Sequence, residues 1–223
     1  MSTLTQITAA MAALAVTAAI TYQVTRSRQR ALASAAVATA MAAARAAHRD
    51  GLTGLGNRTA FHTALSARPA AVILINLDDT RAFVRRFGDR AFDQMLVLTA
   101  GRLGHLASLA DGAAFRLRRD EFAVTLPDGA GAADHAARLA AAVAEPTELV
   151  LSGPPITVTV TACAGVAFLA PSTADDPRRA LVHADRAMRA AKRAGHGRTA
   201  VFDPTMCGWD DSRASHPQRR QDR

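Results

Sequence analysis

The stretch FRLRRDEFAVTL, Phe115–Leu126, decides the fold, because apolar residues alternate on both sides of a charged centre. This alternation predicts two half-buried strands joined as a hairpin. The charged centre, Arg118–Glu121, must then lie at the exposed tip. A two-residue hairpin turn usually requires a positive φ, which costs a residue with a Cβ about 1–2 kcal/mol. The stretch alone leaves open a strained tight turn and a longer solvated loop.

The composition indicates a globular domain with an appendage. Of 223 residues, 49% are hydrophobic, which is enough for a core. The net charge of +8 raises the question of nucleic acid or anionic membrane. The arginines are scattered and few aromatic residues lie among them, so a nucleic-acid partner is not favoured. The single lysine, Lys192, stands out among 27 basic residues.

The N-terminal segment Leu4–Val24 has no charged residue and is followed by Arg26, Arg28 and Arg30. Its length can span a bilayer. We therefore predict a single-pass transmembrane helix over residues 1–25 in the inner (cytoplasmic) membrane. The basic residues behind it predict that the following domain lies in the cytoplasm. Four threonines, two glutamines and many alanines weaken the apolar character, and an exposed or partner-bound helix is the alternative.

Three further regions follow the apolar segment. Residues 26–48 are rich in alanine and lack glycine and proline, which predicts a helical stalk. Its apolar repeat is too sparse to predict a long coiled coil, and a short dimer stalk is the alternative. Residues 49–203 are predicted to form the globular domain. Residues 204–223 are predicted to form a disordered basic tail.

The globular region mixes strand and helix patterns. The run AVILINL, residues 71–77, is continuously apolar, as in a buried central strand. Other strands are predicted at 156–169 and 199–202, and helices from Thr80, at 93–109, at 132–144 and at 177–193. Hairpins occur without strict alternation of strand and helix. We therefore predict an α+β fold with a mostly antiparallel central sheet flanked by helices.

Four blocks of the sequence resemble the GGDEF domain, the diguanylate cyclase family. DGLTGLGNRTAF (50–61) resembles its D-x-L-T-G-L-x-N-R-x-x-F motif, and residues 72–93 resemble its D-x-D-x-F-K-x-x-N-D-x-x-G-H-x-x-G-D block. RLRRDEF (116–122) resembles its R-x-G-G-D-E-F signature, with two arginines in place of the glycines. ADRAMRAAKRAGHGR (184–198) resembles its A-D-x-A-L-Y-x-A-K-x-x-G-R-N block. The resemblance covers residues 50–203 and implies a nucleotidyl-cyclase-like fold.

The resemblance implies a reaction in which two GTP molecules, one on each protomer of a homodimer, condense into cyclic di-GMP. Two metal ions, Mg²⁺ or Mn²⁺, assist by neutralising phosphate charge. Catalytic positions would be Asp120 and Glu121. The metal positions would be Asp120 and Asn76, and the neutral amide of Asn76 should weaken the site. Asp78 lies two residues further along the same strand face and is a candidate to compensate.

The resemblance also assigns substrate-binding positions. Arg81 and Lys192 would bind the triphosphate, and His196 stands where the family has an arginine. Asp93 would read guanine together with Val84, which cannot form a side-chain hydrogen bond. Phe92 replaces a glycine next to Asp93.

These departures predict a membrane-anchored, degenerate GGDEF-domain protein without catalytic activity. It would act in cyclic di-GMP-related signalling by binding a nucleotide such as GTP or a partner protein. The metal would then be needed only if the protein is active. The alternatives are an active diguanylate cyclase and a basic nucleic-acid-binding adaptor.

Overall fold

The computed structural model describes residues 3–151, 153–169 and 176–208. The chain divides into two compact units, Met1–Ala47 and His48–Arg223. The first unit is a single helix, α1 (Thr3–Ala47). It includes nearly all of the region predicted as a helical stalk.

The structure does not support the predicted membrane-spanning helix. Within the three described ranges, no helix is both long and apolar enough to cross a membrane. Helix α1 does form over Leu4–Val24, but four threonines and two glutamines interrupt the apolar run. The hydroxyl of Thr21 bonds within the helix, since its Oγ1 donates to the carbonyl of Thr17 at 2.8 Å.

The described residues of the second unit form five α-helices and seven strands. The helices are α2 (Arg58–Ser66), α3 (Thr80–Phe87), α4 (Asp89–Ser108), α5 (Ala132–Val143) and α6 (Arg178–Ala194). The strands are β1 (Ala71–Leu77), β2 (Ala113–Arg116), β3 (Glu121–Leu126), β4 (Thr147–Leu149), β5 (Ile156–Val158), β6 (Ala162–Phe168) and β7 (Thr199–Val201).

Five strands form the central sheet in the order β2-β3-β1-β6-β7. The pairs β2–β3, β3–β1 and β1–β6 are antiparallel, and β6–β7 is parallel. The prediction of an α+β fold with a mostly antiparallel sheet is therefore confirmed. Strand β1 is central, as its continuous apolar run predicts, and all its residues except Asn76 are buried.

The two faces of β1 belong to two hydrophobic clusters. Ile73 and Ile75 pack with α4 and α5 on one face. Val72 and Leu74 pack with α2 and α6 on the other face. Because side chains alternate along a strand, Asn76 points to the same face as Val72 and Leu74, towards α6.

Two details differ from the prediction. The strand predicted at 156–169 is two strands: β5 pairs with β4 in a separate two-stranded sheet, and β6 joins the central sheet. The alternating ITV segment suits a half-exposed edge, whereas ACAGVAF is small and almost wholly buried. Residues 204–208, predicted within the disordered tail, form a short 3-10 helix. The rest of the tail lies outside the described residues.

Helix α6 packs so closely on β6 that Gly165 is required there. A Cβ at position 165 would overlap the carbonyl oxygen of Ala184 and the backbone nitrogen of Met188. We predict that Gly165→Ala lowers the free energy of unfolding by about 1–3 kcal/mol, as expected for overpacking against backbone atoms. Urea denaturation of the full chain measures this.

Gly101→Ala is the matched control. Gly101 is exposed in α4, and a Cβ at this position would meet no neighbouring atom of the described residues within 4 Å. The same substitution should there be neutral or stabilising by up to about 1 kcal/mol, because glycine weakens a helix interior. Equal effects of the two substitutions would contradict the close packing of α6 on β6.

Candidate functional site

The tip of the β2–β3 hairpin is a loop of residues 117–120. The amide of Leu117 donates to the carbonyl of Glu121 at 2.8 Å, and the amide of Arg118 donates to the same oxygen at 3.4 Å. In the described ranges, the non-glycine residues with positive φ are Arg68, Asp79 and Asp111. Arg118 and Arg119 are therefore accommodated without a left-handed backbone. The longer loop is the correct alternative, and the strained tight turn is wrong.

Arg116 holds this loop in place with its guanidinium group. Its Nε and Nη2 donate to the carbonyls of Arg118 and Arg119 at 3.2 and 2.8 Å. Its Nη1 donates to Asp50 Oδ1 at 3.1 Å. That carboxylate also accepts hydrogen bonds from the amide and the hydroxyl of Thr53, at 2.9 and 2.7 Å. One side chain thus joins the hairpin tip to the DGLTGLGN loop.

These contacts lower the pKa of the Asp50 carboxyl. Burial alone would raise its pKa, but the hydrogen bonds from Thr53 and Arg116 outweigh burial and hold the pKa below its ordinary value. Asp50 therefore stays ionised and paired with Arg116 throughout the neutral range.

The two arginines at the tip point to different neighbours. Arg118 Nε lies 3.7 Å from Glu121 Oε2. Arg119 Nη2 lies 3.9 Å from Asp89 Oδ1, at the start of α4. The Arg119 guanidinium also lies over the ring of Phe92, 5.4 Å from its centroid. Arg119 thus bridges the hairpin tip to α4.

The positions assigned to metal binding lie together at the end of β1. Asn76 is opposite Glu121 in the β1–β3 register. The amide of Leu77 donates to the carbonyl of Asp120 at 3.1 Å. The Asp120 carboxylate accepts a hydrogen bond from Thr80 Oγ1 at 2.8 Å. The fold thus places Asn76, Asp120 and Glu121 close together where β1 ends and β3 begins.

Asp78 is buried just beyond β1 and is held by protein donors. Its Oδ2 accepts hydrogen bonds from Thr161 Oγ1 at 2.8 Å and from the amide of Gly197 at 2.9 Å. Its Oδ1 lies 3.6 Å from Lys192 Nζ. Asp78 therefore ties the loop after α6 to the end of β1.

Lys192 reaches the end of β1 from the last turn of α6. Its Nζ lies 2.5 Å from Asn76 Oδ1 and 3.4 Å from the carbonyl oxygen of Leu77. The lysine singled out in the sequence thus lies at the centre of the site.

The remaining predicted residues surround this centre without entering it. Arg81 and Asp93 are exposed on α3 and α4. His196 Nδ1 lies 3.5 Å from Asp79 Oδ2, with both side chains largely exposed. Val84 packs against the core cluster on the α4 side of the sheet.

Comparisons with known proteins decide the family. The family model "Diguanylate cyclase, GGDEF domain" matches residues 47–198, more than half of the chain. The chain belongs to the GGDEF domain family. It is 34% identical over 169 residues to an uncharacterized protein of Mycobacterium tuberculosis, covering 72% of this chain and 26% of that protein. The chain thus spans about a quarter of that relative.

Two characterised proteins are also similar. Diguanylate cyclase TpbB of Pseudomonas aeruginosa is 37% identical over 164 residues, which cover 68% of this chain and 36% of TpbB. The solved coiled coil and GGDEF domain of DgcB from Caulobacter crescentus superimposes with a TM-score of 0.70 at 22% identity. That match covers 78% of this chain and 96% of the DgcB chain, and it supports the fold.

Two of the candidate metal ligands of this GGDEF domain, Asn76 and Asp78, are engaged by protein donors. In the part of the chain that the structure describes, no group of three histidine, cysteine, aspartate or glutamate side chains could hold a metal ion. Asn76 is neutral and contacts Lys192, and both oxygens of Asp78 face protein donors. Magnesium requires several oxygen ligands in an octahedron, with carboxylates among them.

Several residues of the site were not singled out from the sequence. Asp50 and Arg116 lie in the quoted motifs, but their pairing joins positions 66 residues apart. Thr161 and Gly197 have no distinctive local pattern. Only the position of Gly197 in the last motif block, next to His196, could have indicated its proximity to the site.

We predict that Asp50→Asn lowers the free energy of unfolding at pH 7 by about 1–3 kcal/mol, because it weakens charge-assisted hydrogen bonds to Arg116. The folded pKa of Asp50 is lowered, so its stabilisation is present above the unfolded pKa of about 3.9 and is lost as pH falls through the folded pKa. Urea denaturation at pH 7, 5 and 3.5 measures the free energy of unfolding of the wild type and the variant. The difference between the two should become smaller only at pH 3.5.

Glu148→Gln is the control for the loss of a carboxylate. Glu148 is exposed in β4, and its substitution should change stability by no more than about 0.5 kcal/mol. A stability loss for Asp50→Asn as small as this, or one that does not narrow with acid, would contradict the role of the Asp50–Arg116 pair.

Proposed function

We propose that this GGDEF-domain protein of the cyclic di-GMP signalling family does not condense GTP and acts by binding a nucleotide or a partner protein. The observation that carries this proposal is the burial of Phe92. Its side chain is 3% exposed and lies in the core at a position where the family has a glycine. A glycine leaves room for a ligand next to Asp93, whereas the Phe92 ring occupies that room.

The neighbours of Phe92 support the proposal. The Phe83 and Phe92 ring centroids are 6.2 Å apart, and the Arg119 guanidinium lies over the Phe92 ring. Val84, which replaces a hydrogen-bonding residue of the family, is part of the same apolar packing. A base placed here would find no side-chain partner at position 84, and guanine recognition depends on such hydrogen bonds.

The size of the nearby cavity also supports the proposal. A cavity of about 250 Å³ lies beside the end of β1, lined by residues that include Asp79, Phe83, Arg86 and Thr161. Small-molecule sites usually enclose about 300–1,000 Å³. The volume of this cavity lies below that range, and exposed Arg81 remains available to a phosphate group.

A solved complex of a protein with the same fold supports the binding of a partner protein. Diguanylate cyclase SiaD of Pseudomonas aeruginosa was solved in complex with its activator SiaC, and it superimposes on 88% of this chain with a TM-score of 0.63 at 21% identity. By analogy, a GGDEF-domain protein can serve as one half of a protein complex. Self-association through α1 stays a prediction.

We predict that the purified full-length protein forms no detectable cyclic di-GMP from GTP with Mg²⁺ or Mn²⁺. Losing one electrostatic contact of a catalytic site typically costs about 2.7–4 kcal/mol, so two such losses slow turnover by about 10⁴-fold or more. Here the charge at position 76 and the hydrogen bond at position 84 are both absent. Product is measured by mass spectrometry after overnight incubation.

Diguanylate cyclase TpbB, assayed in parallel, shows that the conditions support the reaction. A partly repaired variant carries Asn76→Asp, Val84→Asn, Arg118→Gly, Arg119→Gly and His196→Arg. It retains Phe92, because truncating a buried phenylalanine costs about 3–5 kcal/mol of stability. Cyclic di-GMP formed by the wild type at a rate comparable to that of TpbB would refute the proposal. It would support the alternative that the protein is an active diguanylate cyclase.

A further inference from the structure

The ammonium group of Lys192 is surrounded by oxygen atoms from the end of β1. Its Nζ lies near Asn76 Oδ1 at 2.5 Å, near the Leu77 carbonyl at 3.4 Å and near Asp78 Oδ1 at 3.6 Å. A lysine ammonium has three donors and no acceptor. Three oxygens of three consecutive residues therefore face one three-donor cation.

The fold holds the ammonium there by several means. Lys192 lies in the last turn of α6, where the helix dipole favours a positive charge. The side chain is about one-third exposed, so its stem is covered while its charge is paired with the buried Asp78. Helix α6 packs closely on β6. This packing fixes the position of α6 from which the Lys192 side chain extends to β1.

The charges around the ammonium are balanced. Asp78 contributes one negative charge, and Asn76 contributes a neutral oxygen. Glu121, opposite Asn76 on β3, faces Arg118. Among residues 76–78, which face Lys192, the ammonium therefore meets one negative charge, that of Asp78.

An aspartate at position 76 would change this balance. Two carboxylates would then face one ammonium, and the remaining negative charge would attract a further cation. The neutral amide of Asn76 removes that negative charge and still accepts a hydrogen bond. Asn76 and Lys192 thus form a matched pair across 116 residues of sequence.

We propose that the ammonium group of Lys192 takes the place of a divalent metal ion at this site. The neutral side chain of Asn76 makes this replacement possible. The proposal deepens the proposed function and rests on it, since it gives a physical reason why metal-dependent condensation does not occur. The site is closed to Mg²⁺ and Mn²⁺ by the chain's own lysine. Any anionic ligand that binds at the end of β1 does so without a divalent ion.

The test is Mn²⁺ binding to the full-length protein, measured by electron paramagnetic resonance of free Mn²⁺. We compare the wild type, Lys192→Met, and the double variant Asn76→Asp with Lys192→Met. The double variant removes the ammonium and adds a carboxylate, and ligand charge strongly sets the affinity for hard divalent cations. It should bind one Mn²⁺ at least about tenfold more tightly than the wild type.

Arg178→Met is the matched control, because it removes a cationic side chain from the opposite end of the same helix, about 21 Å away at 1.5 Å per residue. It should bind Mn²⁺ like the wild type. A folded double variant that binds no more tightly than the wild type overturns the proposal. So does a wild type that binds one Mn²⁺ with micromolar affinity.

A second measurement needs no variant. Because Lys192 is the single lysine, selective ¹⁵N-lysine labelling gives one side-chain nitrogen signal in the nuclear magnetic resonance spectrum. Adding Mg²⁺ should leave this signal unchanged, and a saturable shift overturns the proposal. Neither measurement depends on product formation, so failure of this inference is distinguishable from failure of the proposed function.

Discussion

The hydrogen-bonded ion pair between Arg116 and Asp50 is the interaction on which the geometry of the site depends. Three nitrogens of one guanidinium bind the Asp50 carboxylate and two carbonyls of the hairpin tip. A guanidinium suits this task because its donors form a rigid planar fork. The fork fixes the loop, which places Asp120 beside the end of β1. From there, the hydrogen bond from Thr80 orients the Asp120 carboxylate.

The contacts of Arg116 also explain why the loop accepts arginines at positions 118 and 119, where the family signature has glycines. The loop is long enough to avoid a left-handed backbone, so neither arginine needs the conformational freedom of glycine. Their side chains find local partners in Glu121 and in Asp89 with Phe92. The two arginines at the tip are therefore compatible with the fold of the family.

Much of the fold was predictable from local patterns. The apolar run at 71–77 predicts the central strand, because a strand that is buried on both faces needs apolar residues throughout. The alternation after Glu121 predicts β3. The strand predicted at 156–169 was wrong because local periodicity does not show where a chain passes from one sheet to another. The predicted spanning helix was not supported, since length without charge does not by itself give sufficient apolarity.

The positions of the candidate residues followed from the motifs, but their contacts did not. Asn76, Asp120 and Lys192 were candidates from motif positions, and the structure places them around the end of β1. That Lys192 would bind Asn76 rather than remain free for a phosphate follows from the packing of α6 on Gly165, and no local pattern in the sequence reports that packing. Partners far apart in sequence are specified by the whole fold.

The central claim is that this GGDEF domain has lost its dependence on a divalent metal ion. The most direct measurement is calorimetric titration of GTP into the full-length protein, once with Mg²⁺ and once with a chelator. The account predicts that Mg²⁺ does not strengthen GTP binding, whether or not GTP binds. GTP binding that is stronger by about tenfold or more, or about 1.4 kcal/mol, when Mg²⁺ is present would contradict it.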